Sequence, residues 1–364
     1  NGSGSNGSGS NGRGSDGSGF DGSGDSGMGP EYLALERHVR SLRAQRLVAQ
    51  GNGAPRPAWW SAPIFCGWGA QCYLATQGEK RAPDEARQEN YRSFLEQLEA
   101  RDLAPGTVVL DDKWQASYGE NRVDLEKWPD LEGFIAGQHR LGRKVLLWLK
   151  AWDPEGVPLE ECVTNSTGEP VSVDPTNPAF EKRFRESIRN MLSSEGYGAD
   201  GFKLDFTARI PASPGLRMFD ERVWGIELMR RYLEILHDEA KAVKPDALVM
   251  THTPHPYLAD VVDMIRLNDI NVGRDVLRSM AHRGRIARIA CPEAIIDTDN
   301  WPVTDKSTWR SYLGLQPRLG VSSLYYVSHI DSTGEALDDD DYRLIRESWK
   351  REPAAGDTLA GVGE

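Results

Sequence analysis

Short apolar runs alternate with longer amphipathic segments along most of this chain, and that alternation limits the folds it can adopt. The apolar runs predict strands at 63–66, 107–110, 144–149, 201–205, 247–251, 261–267, 289–296 and 322–327. The amphipathic segments predict helices at 84–101, 130–141, 178–194, 217–242, 272–281, 307–319 and 339–350. Eight strands in strict alternation with helices favour an α/β fold, the (β/α)8 TIM barrel, over an open sheet.

The composition divides the chain into four parts. Residues 1–29 repeat Gly, Ser, Asn and Asp and predict a disordered tail, because so polar a segment cannot bury a core. Residues 30–58 predict a helix beginning at Pro30, followed by a linker, and this helix is expected to pack outside the main domain. The barrel is predicted at 59–352, with a C-terminal tail at 353–364.

Charge and cysteine content exclude several classes of function. The net charge is −12, which argues against a nucleic-acid partner. The four cysteines form no C-x-x-C pair, so the sequence suggests no zinc cluster, and we expect no metal and no cofactor. No apolar run approaches the roughly 20 residues that span a bilayer, so no membrane partner is expected. The sequence slightly favours the cytoplasm over secretion and leaves the oligomeric state open.

The most informative segment is 201–206, which places a lysine and a carboxylate two positions apart on a predicted strand. Alternate residues of a strand share a face, so Lys203 and Asp205 are expected to point the same way. An ammonium beside an aspartate keeps the carboxylate ionised, as a nucleophile requires. A structural salt bridge is the alternative interpretation, because buried ion pairs also occur without chemistry.

Polar and aromatic residues follow most of the predicted strands. In a TIM barrel the carboxyl ends of the strands carry the active site, so these residues become candidates for it. Aspartates accept hydrogen bonds from sugar hydroxyls, and indole rings offer apolar faces to sugar C–H groups, so the set predicts a sugar pocket. The candidates are Trp68, Asp111, Asp112, Trp114, Trp148, Lys150, Lys203, Asp205, His252, His255, Arg266, Asp269, Asp297, Asp299 and His329.

Two of these aspartates suit the carboxyl pair that glycoside hydrolysis requires. A retaining enzyme uses one carboxylate to attack the anomeric carbon and a second carboxyl group to protonate the leaving oxygen. Asp205 ends the fourth predicted strand and is the candidate nucleophile, whereas Asp269 follows the sixth and is the candidate acid/base. Asp275 is a fallback acid, although it falls in the following helix.

Four segments resemble the melibiase-type α-galactosidases, a superfamily of retaining glycoside hydrolases. Residues 111–115 read D-D-K-W-Q and are similar to the D-D-G-W-Q element of that family, with Lys113 where the family usually has Gly. An aromatic-Pro motif at Trp128, an H-x-x-G turn from His139 and a third-strand Trp148 follow. Residues 203–206 resemble the nucleophile strand of the family, and residues 266–269 resemble its acid/base segment.

The resemblance implies a retaining α-galactosidase barrel that acts on α-linked oligosaccharides or glycoconjugates. By that resemblance Asp205 is the nucleophile and Asp269 the acid/base. It also implies that Asp111 and Asp112 bind hydroxyls at the far end of the glycone, Lys203 a neighbouring hydroxyl and Arg266 the ring's 2-position. The remaining substrate-binding candidates are Trp68, Trp114, Trp148, Lys150 and His252.

Alternatives of other classes stay open at this point. Within the superfamily, the chain could be an α-N-acetylgalactosaminidase or a raffinose-type α-galactosyl transferase. A Mg²⁺-dependent barrel lyase would use Asp111, Asp205 and Asp269 as ligands and Lys203 as a general base. A carbohydrate-binding barrel without catalytic activity is the remaining possibility.

Overall fold

A computed structural model describes residues 29–49, 56–267, 269 and 275–351. Within these residues, eight parallel strands form one sheet in the order β10-β1-β2-β3-β6-β7-β8-β9, where β4 and β5 are a separate antiparallel hairpin. The strands are β1 (Ile64–Cys66), β2 (Thr107–Leu110), β3 (Lys144–Lys150), β4 (Cys162–Thr164), β5 (Pro170–Val173), β6 (Gly201–Asp205), β7 (Leu248–Thr251), β8 (Met264–Arg266), β9 (Ile295–Asp297) and β10 (Ser323–Leu324).

Helices follow the strands and surround the sheet. They are α1 (Pro30–Ala44), α2 (Trp68–Thr76), α3 (Gln88–Glu99), α4 (Leu131–Arg140), α5 (Pro178–Leu192), α6 (Ile226–Val243), α7 (Val276–Ala290), α8 (Lys306–Leu319) and α9 (Asp339–Trp349). The barrel helices bury apolar residues at helical spacing, as in α5, where Phe180, Phe184 and Ile188 are buried.

The sheet closes where β9 meets the segment before β10. Asp297 forms a parallel bridge with Val321, and the backbone N–H of Thr298 donates to the Val321 carbonyl over 3.1 Å. The barrel is thus continuous around its circumference, and the predicted (β/α)8 fold is confirmed. All of its strands run in one direction, so their carboxyl ends lie at one mouth.

Most predicted elements occur close to the expected positions, with five differences. The helix expected at 272–281 is Val276–Ala290, which continues nine residues past the predicted end. The strand expected at 289–296 is only Ile295–Asp297, because Ile289 and Ala290 complete the last turn of α7. Helix α6 begins at Ile226 rather than at 217, since residues 206–225 form a long loop after β6. Helix α2 and the β4–β5 hairpin were not predicted, because each is short and α2 has no polar face.

The N-terminal helix α1 packs outside the barrel against α7, as expected. The Tyr32 hydroxyl lies 2.7 Å from His282 Nδ1, and Arg43 donates to both oxygens of Glu293 over 2.6 and 2.8 Å. The tail predicted at 1–29 lies outside the described residues except for Gly29. The whole C-terminal tail predicted at 353–364 also lies outside them. No helix among the described residues is long and apolar enough to cross a membrane.

Candidate active site

Asp205 occupies the carboxyl end of β6, where the barrel opens. Its Oδ1 accepts hydrogen bonds from Arg266 Nη2 at 2.9 Å and from the backbone N–H of Phe206 at 2.8 Å. Trp148 Nε1 donates to Oδ2 at 3.4 Å, and His252 Nε2 lies 3.4 Å from Oδ1. The side chain is 18% exposed, so one side of the carboxylate remains open to a ligand.

Positive neighbours keep this carboxylate charged. Burial is the largest single influence and would raise the pKa of Asp205, but the charges of Arg266 and Lys203, with the backbone hydrogen bond from Phe206, together outweigh it, and the pKa lies well below its usual range. Asp205 is therefore ionised at any physiological pH. An ionised carboxylate with an open side is the state that a nucleophile requires.

Arg266 joins three carboxylates that come from three different strands of the barrel. Its Nη2 donates to Asp205, while its Nη1 donates to Asp269 Oδ1 at 3.0 Å and to Asp299 Oδ2. Burial would lower the pKa of Arg266, but the carboxylates around it raise that pKa well above its usual value, so the guanidinium stays charged. Burial also raises the pKa of Asp299, against the attraction of Arg266.

Asp269 reaches the same guanidinium from the segment after β8. Its side chain is 54% exposed, so water or a departing group can approach its free oxygen. The fallback acid Asp275 instead caps α7, where its side chain accepts a hydrogen bond from the backbone N–H of Arg278. The structure thus brings Asp269, and not Asp275, into contact with the arginine that binds Asp205.

Lys203 does not form its ion pair with Asp205. Its Nζ lies 2.7 Å from Asp111 Oδ2 and 3.3 Å from Cys66 Sγ, and both members of the ion pair are almost completely buried. The prediction that Lys203 is the direct partner of Asp205 is therefore corrected, because Arg266 takes that place. The ammonium extends across the barrel interior to β1 and β2, and Lys203 acts on Asp205 only through longer-range attraction.

Asp112 forms a second polar group at the mouth, together with Tyr118. The Tyr118 hydroxyl donates to Asp112 Oδ1 over 2.7 Å, and its ring lies between the ammonium groups of Lys113 and Lys150, at 3.7 and 4.1 Å from the ring centroid. Burial raises the pKa of Asp112 to about 6, although the Tyr118 hydrogen bond opposes this shift. Asp112 is more accessible than Asp111, so it is the member of this pair that a ligand can reach.

The three candidate tryptophans occupy different environments. Trp148 lies beside Asp205, and its ring contacts Tyr118 with centroids 5.9 Å apart. Trp68 begins α2 near the mouth, where its ring meets Trp301 edge-on at 5.8 Å. Trp114 is fully buried and donates its ring N–H to the Trp148 carbonyl over 2.8 Å, so it supports Trp148 from the core and offers no face to a ligand.

The two histidines with metal-like spacing separate in the structure. His252 lies beside Asp205, and burial lowers its pKa to about 4, so it is neutral at physiological pH. His255 caps a short helical turn, where its Nδ1 accepts from the Tyr257 backbone N–H. The described residues contain no group of three or more His, Cys, Asp or Glu side chains arranged for a metal ion. The aspartates proposed as Mg²⁺ ligands instead face cations of the protein, Lys203 and Arg266.

No protein-family model matches the chain. An alignment over 152 residues, which covers 36% of the chain and 19% of the other protein, is 27% identical to the α-xylosidase XylQ of Lactiplantibacillus pentosus. The fold is similar to a GH31 α-xylosidase from a soil metagenome complexed with xylose, with a TM-score of 0.61 and 15% identity over 81% of this chain and 48% of the other. It is also similar to the cycloalternan-degrading enzyme of Trueperella pyogenes in complex with a covalent intermediate. That match has a TM-score of 0.66 and 14% identity, and it covers 87% of this chain and 49% of the other.

The fold is a (β/α)8 barrel similar to the barrels of these two solved structures. The chain spans about a fifth of the curated relative and about half of these two solved structures. The similarities do not support the melibiase-type family that the sequence motifs suggested, because they are to an α-xylosidase and to a cycloalternan-degrading enzyme. The melibiase-type family that these motifs suggested is therefore corrected, and the likeness that the comparisons show is one of barrel fold.

Two contacts of the site did not follow from the sequence. They are the hydrogen bond from Tyr118 to Asp112 and the contact of Asp299 with Arg266. Asp299 was recognised as a residue at a strand end but was given no role, because nothing in the sequence shows that it contacts Arg266. Tyr118 lies in the loop after β2, and its distance of six residues from Asp112 is the only signal of their contact. Loop contacts of this kind do not follow from strand or helix periodicity.

Proposed function

We propose that this barrel is a retaining α-glycosidase that acts on α-glucosides or α-xylosides. The observation that carries the proposal is the shared guanidinium of Arg266, which binds Asp205 and Asp269 at 2.9 and 3.0 Å. One guanidinium can bind two carboxylates only when they lie close together. That brings to one site the two carboxyl groups that a retaining mechanism requires. The similar cycloalternan-degrading enzyme in complex with a covalent intermediate supports the retaining over the inverting mechanism.

In the proposed first step, Asp205 Oδ2 attacks the anomeric carbon while Asp269 gives its proton to the leaving oxygen. The glycosidic bond breaks and a glycosyl ester forms on Asp205. The ester no longer carries the negative charge of Asp205, so the guanidinium is balanced by Asp269 and Asp299 alone. This favours the ionised form of Asp269, which is the form that activates water in the second step.

The choice of sugar rests on the relatives and on the geometry of the mouth. The α-xylosidases among the similar proteins favour a substrate with an equatorial 4-hydroxyl, as in xylose and glucose, over galactose. Asp112 would contact hydroxyls of the glycone, and Lys150 and Trp68 would lie farther toward the rim. Trp148 is only 1% exposed, so it would act on the site through its Nε1 hydrogen bond to Asp205 and not through its ring face. Lys203 and Asp111 would stabilise this surface from beneath, since both are buried.

The test is a panel of aryl α-glycosides with xylo, gluco, galacto and N-acetylgalactosamino configurations. We expect turnover of the xyloside or the glucoside above that of the galactoside. Asp205→Ala should abolish this turnover, and azide should restore it with an inverted glycosyl azide as product. Turnover of the galactoside alone would support the α-galactosidase specificity that the sequence motifs suggested. Near-normal turnover by Asp205→Ala would contradict the role of Asp205 as nucleophile.

A further inference from the structure

Three carboxylates bind Arg266, and one of them is closed to any substrate. Asp205 and Asp269 are 18% and 54% exposed, so each can reach a bound sugar. The Asp299 side chain is 0% exposed, yet its Oδ2 contacts the same Nη1 that donates to Asp269. Asp299 therefore acts on the site through Arg266 and not through a ligand.

We propose that Asp299 is the positioning residue that fixes Arg266 in the orientation from which it holds both Asp205 and Asp269. This inference rests on the proposed glycosidase function and names a third carboxylate that this function needs. Asp299 is itself held by the backbone, because its Oδ1 accepts the Trp301 N–H over 2.9 Å. Asp299 thus follows β9 in the core. Asp205 and Asp269, whose positions it fixes through Arg266, face the mouth.

In the part of the chain that the structure describes, Asp299 is the fully buried carboxylate that contacts the Arg266 guanidinium, whereas Asp205 and Asp269 are partly exposed. Among the described residues, the buried Arg266 Nε has no hydrogen-bond partner, so the hydrogen bonds of the guanidinium found there run through Nη1 and Nη2 to the three aspartates. Without Asp299, only the two carboxyl groups at the mouth, Asp205 and Asp269, would hold Arg266, and both of them change charge during the proposed reaction. The groups whose charges act most on Arg266 or on Asp205 are Lys203 of β6, His252 after β7, Asp269 after β8, Asp299 after β9 and Tyr325 after β10. Asp112 also interacts with Asp205, and Asp297 with Arg266, in both cases more weakly than burial acts on the aspartate.

The chain offers a matched control two residues away. Asp297 is also fully buried and also ends β9, but its carboxyl accepts a hydrogen bond from Ser323 and does not contact Arg266. Its pKa is raised to about 7, chiefly by burial, so below that pH it is a neutral carboxylic acid that Asn mimics closely. Asp299→Asn and Asp297→Asn therefore make the same chemical change in the same part of the core, with and without contact to the guanidinium.

Kinetics on the aryl α-glycoside that the wild-type chain prefers give the first readout. We expect Asp299→Asn to lower kcat about 10- to 100-fold, with KM within about 3-fold, because a misplaced Arg266 no longer aligns the two reacting groups. The acidic limb of the kcat profile should move to higher pH, since Asp205 loses part of the attraction that keeps it ionised. Asp297→Asn should leave kcat within about 3-fold and the limb in place. Equal effects of the two substitutions would overturn the proposal.

Crystal structures of the two variants give a readout that does not depend on activity. We expect Arg266 to lose its contact with Asp205 or with Asp269 in Asp299→Asn and to keep both in Asp297→Asn. An unchanged Arg266 in Asp299→Asn would overturn the proposal, even if the wild type turned over no glycoside and the proposed function had failed. If Asp299→Asn does not fold, Asp299→Glu replaces it in the comparison. This variant keeps the negative charge but displaces the carboxylate from its contact with Arg266.

Discussion

The ammonium of Lys203 lies 2.7 Å from Asp111 Oδ2, and each of these side chains is only 3% exposed. The pair crosses the barrel interior from β6 to the end of β2 and also contacts the Cys66 thiol. Negative neighbours raise the pKa of Lys203 against its burial, so the lysine keeps its proton. The pair therefore forms a charged layer beneath the candidate active site and does not take part in proton transfer there.

Breaking this pair should destabilise the protein strongly. Lys203→Met leaves the Asp111 carboxylate buried without its cation, which costs about 3–5 kcal/mol of unfolding free energy. Lys203→Met combined with Asp111→Asn should recover part of the loss, because it removes the unpaired charge. Urea unfolding of the wild type, the single variants and the double variant measures these differences. A single variant as stable as the wild type would show that the ion pair contributes nothing.

Arg266→Lys should move the pH dependence of activity. The wild-type pKa of Asp205 is depressed mainly by Arg266, so its ionised form persists to low pH. A lysine cannot reach Asp205 and Asp269 together, so the pKa of Asp205 should rise and the acidic limb of kcat/KM should move to higher pH. Arg230→Lys is the control, since Arg230 pairs with Asp260 away from the site. An acidic limb that stays in place in Arg266→Lys would contradict this role.

Asp297 should make the protein less stable as the pH rises. Its pKa in the folded protein is raised to about 7, whereas an unfolded aspartate titrates at about 3.9. Between these values the folded state holds a proton that the unfolded state has released, so the free energy of unfolding falls with increasing pH. Asp297→Asn should therefore gain stability relative to the wild type by on the order of 3 kcal/mol between mildly acidic and mildly alkaline pH. Urea unfolding at the two pH values tests this. A stability difference that is the same at both would be inconsistent with a protonated Asp297.

Lys113 adopts a backbone conformation that favours glycine. Its φ is +75°, and its side chain pairs with Glu155 and lies over the Tyr118 ring. Lys113→Gly and Lys113→Ala both remove these side-chain contacts, but only Gly accepts the left-handed backbone without cost. The Gly variant should be more stable than the Ala variant by about 1 kcal/mol. Thermal unfolding compares the two, and an Ala variant of equal or greater stability would rule out backbone strain at this position.

The sequence predicted the barrel because its strands are short, apolar and buried on both faces. This signal placed β2 and β6 at their observed bounds. The prediction failed around residue 289. Ile289 and Ala290 end α7 only four residues before β9, and periodicity does not separate so short an apolar run of a helix from the start of a strand. The β4–β5 hairpin was missed because it lies inside a loop at the mouth and contributes nothing to the alternation.

The sequence predicted the residues of the site better than their partners. Asp205, Arg266 and Asp269 were candidates because each follows or ends a strand, and the structure brings them into contact. The partner of Lys203 was wrong because residues two apart on a strand share a face but stand about 6.6 Å apart along it. A long side chain can then pair with a group on another strand, as Lys203 does with Asp111. Burial of Trp114 likewise depends on tertiary packing that spacing does not show.

The central claim is that Asp205 forms a covalent bond with the sugar. The most direct measurement is to incubate the protein with a fluorinated α-glycosyl fluoride of the preferred sugar, which slows hydrolysis of the ester, and to map the label by peptide mass spectrometry. We expect one sugar on the peptide that contains Asp205 and no label in Asp205→Ala. A label on another residue, or turnover of an aryl α-glycoside with inverted product, would contradict it.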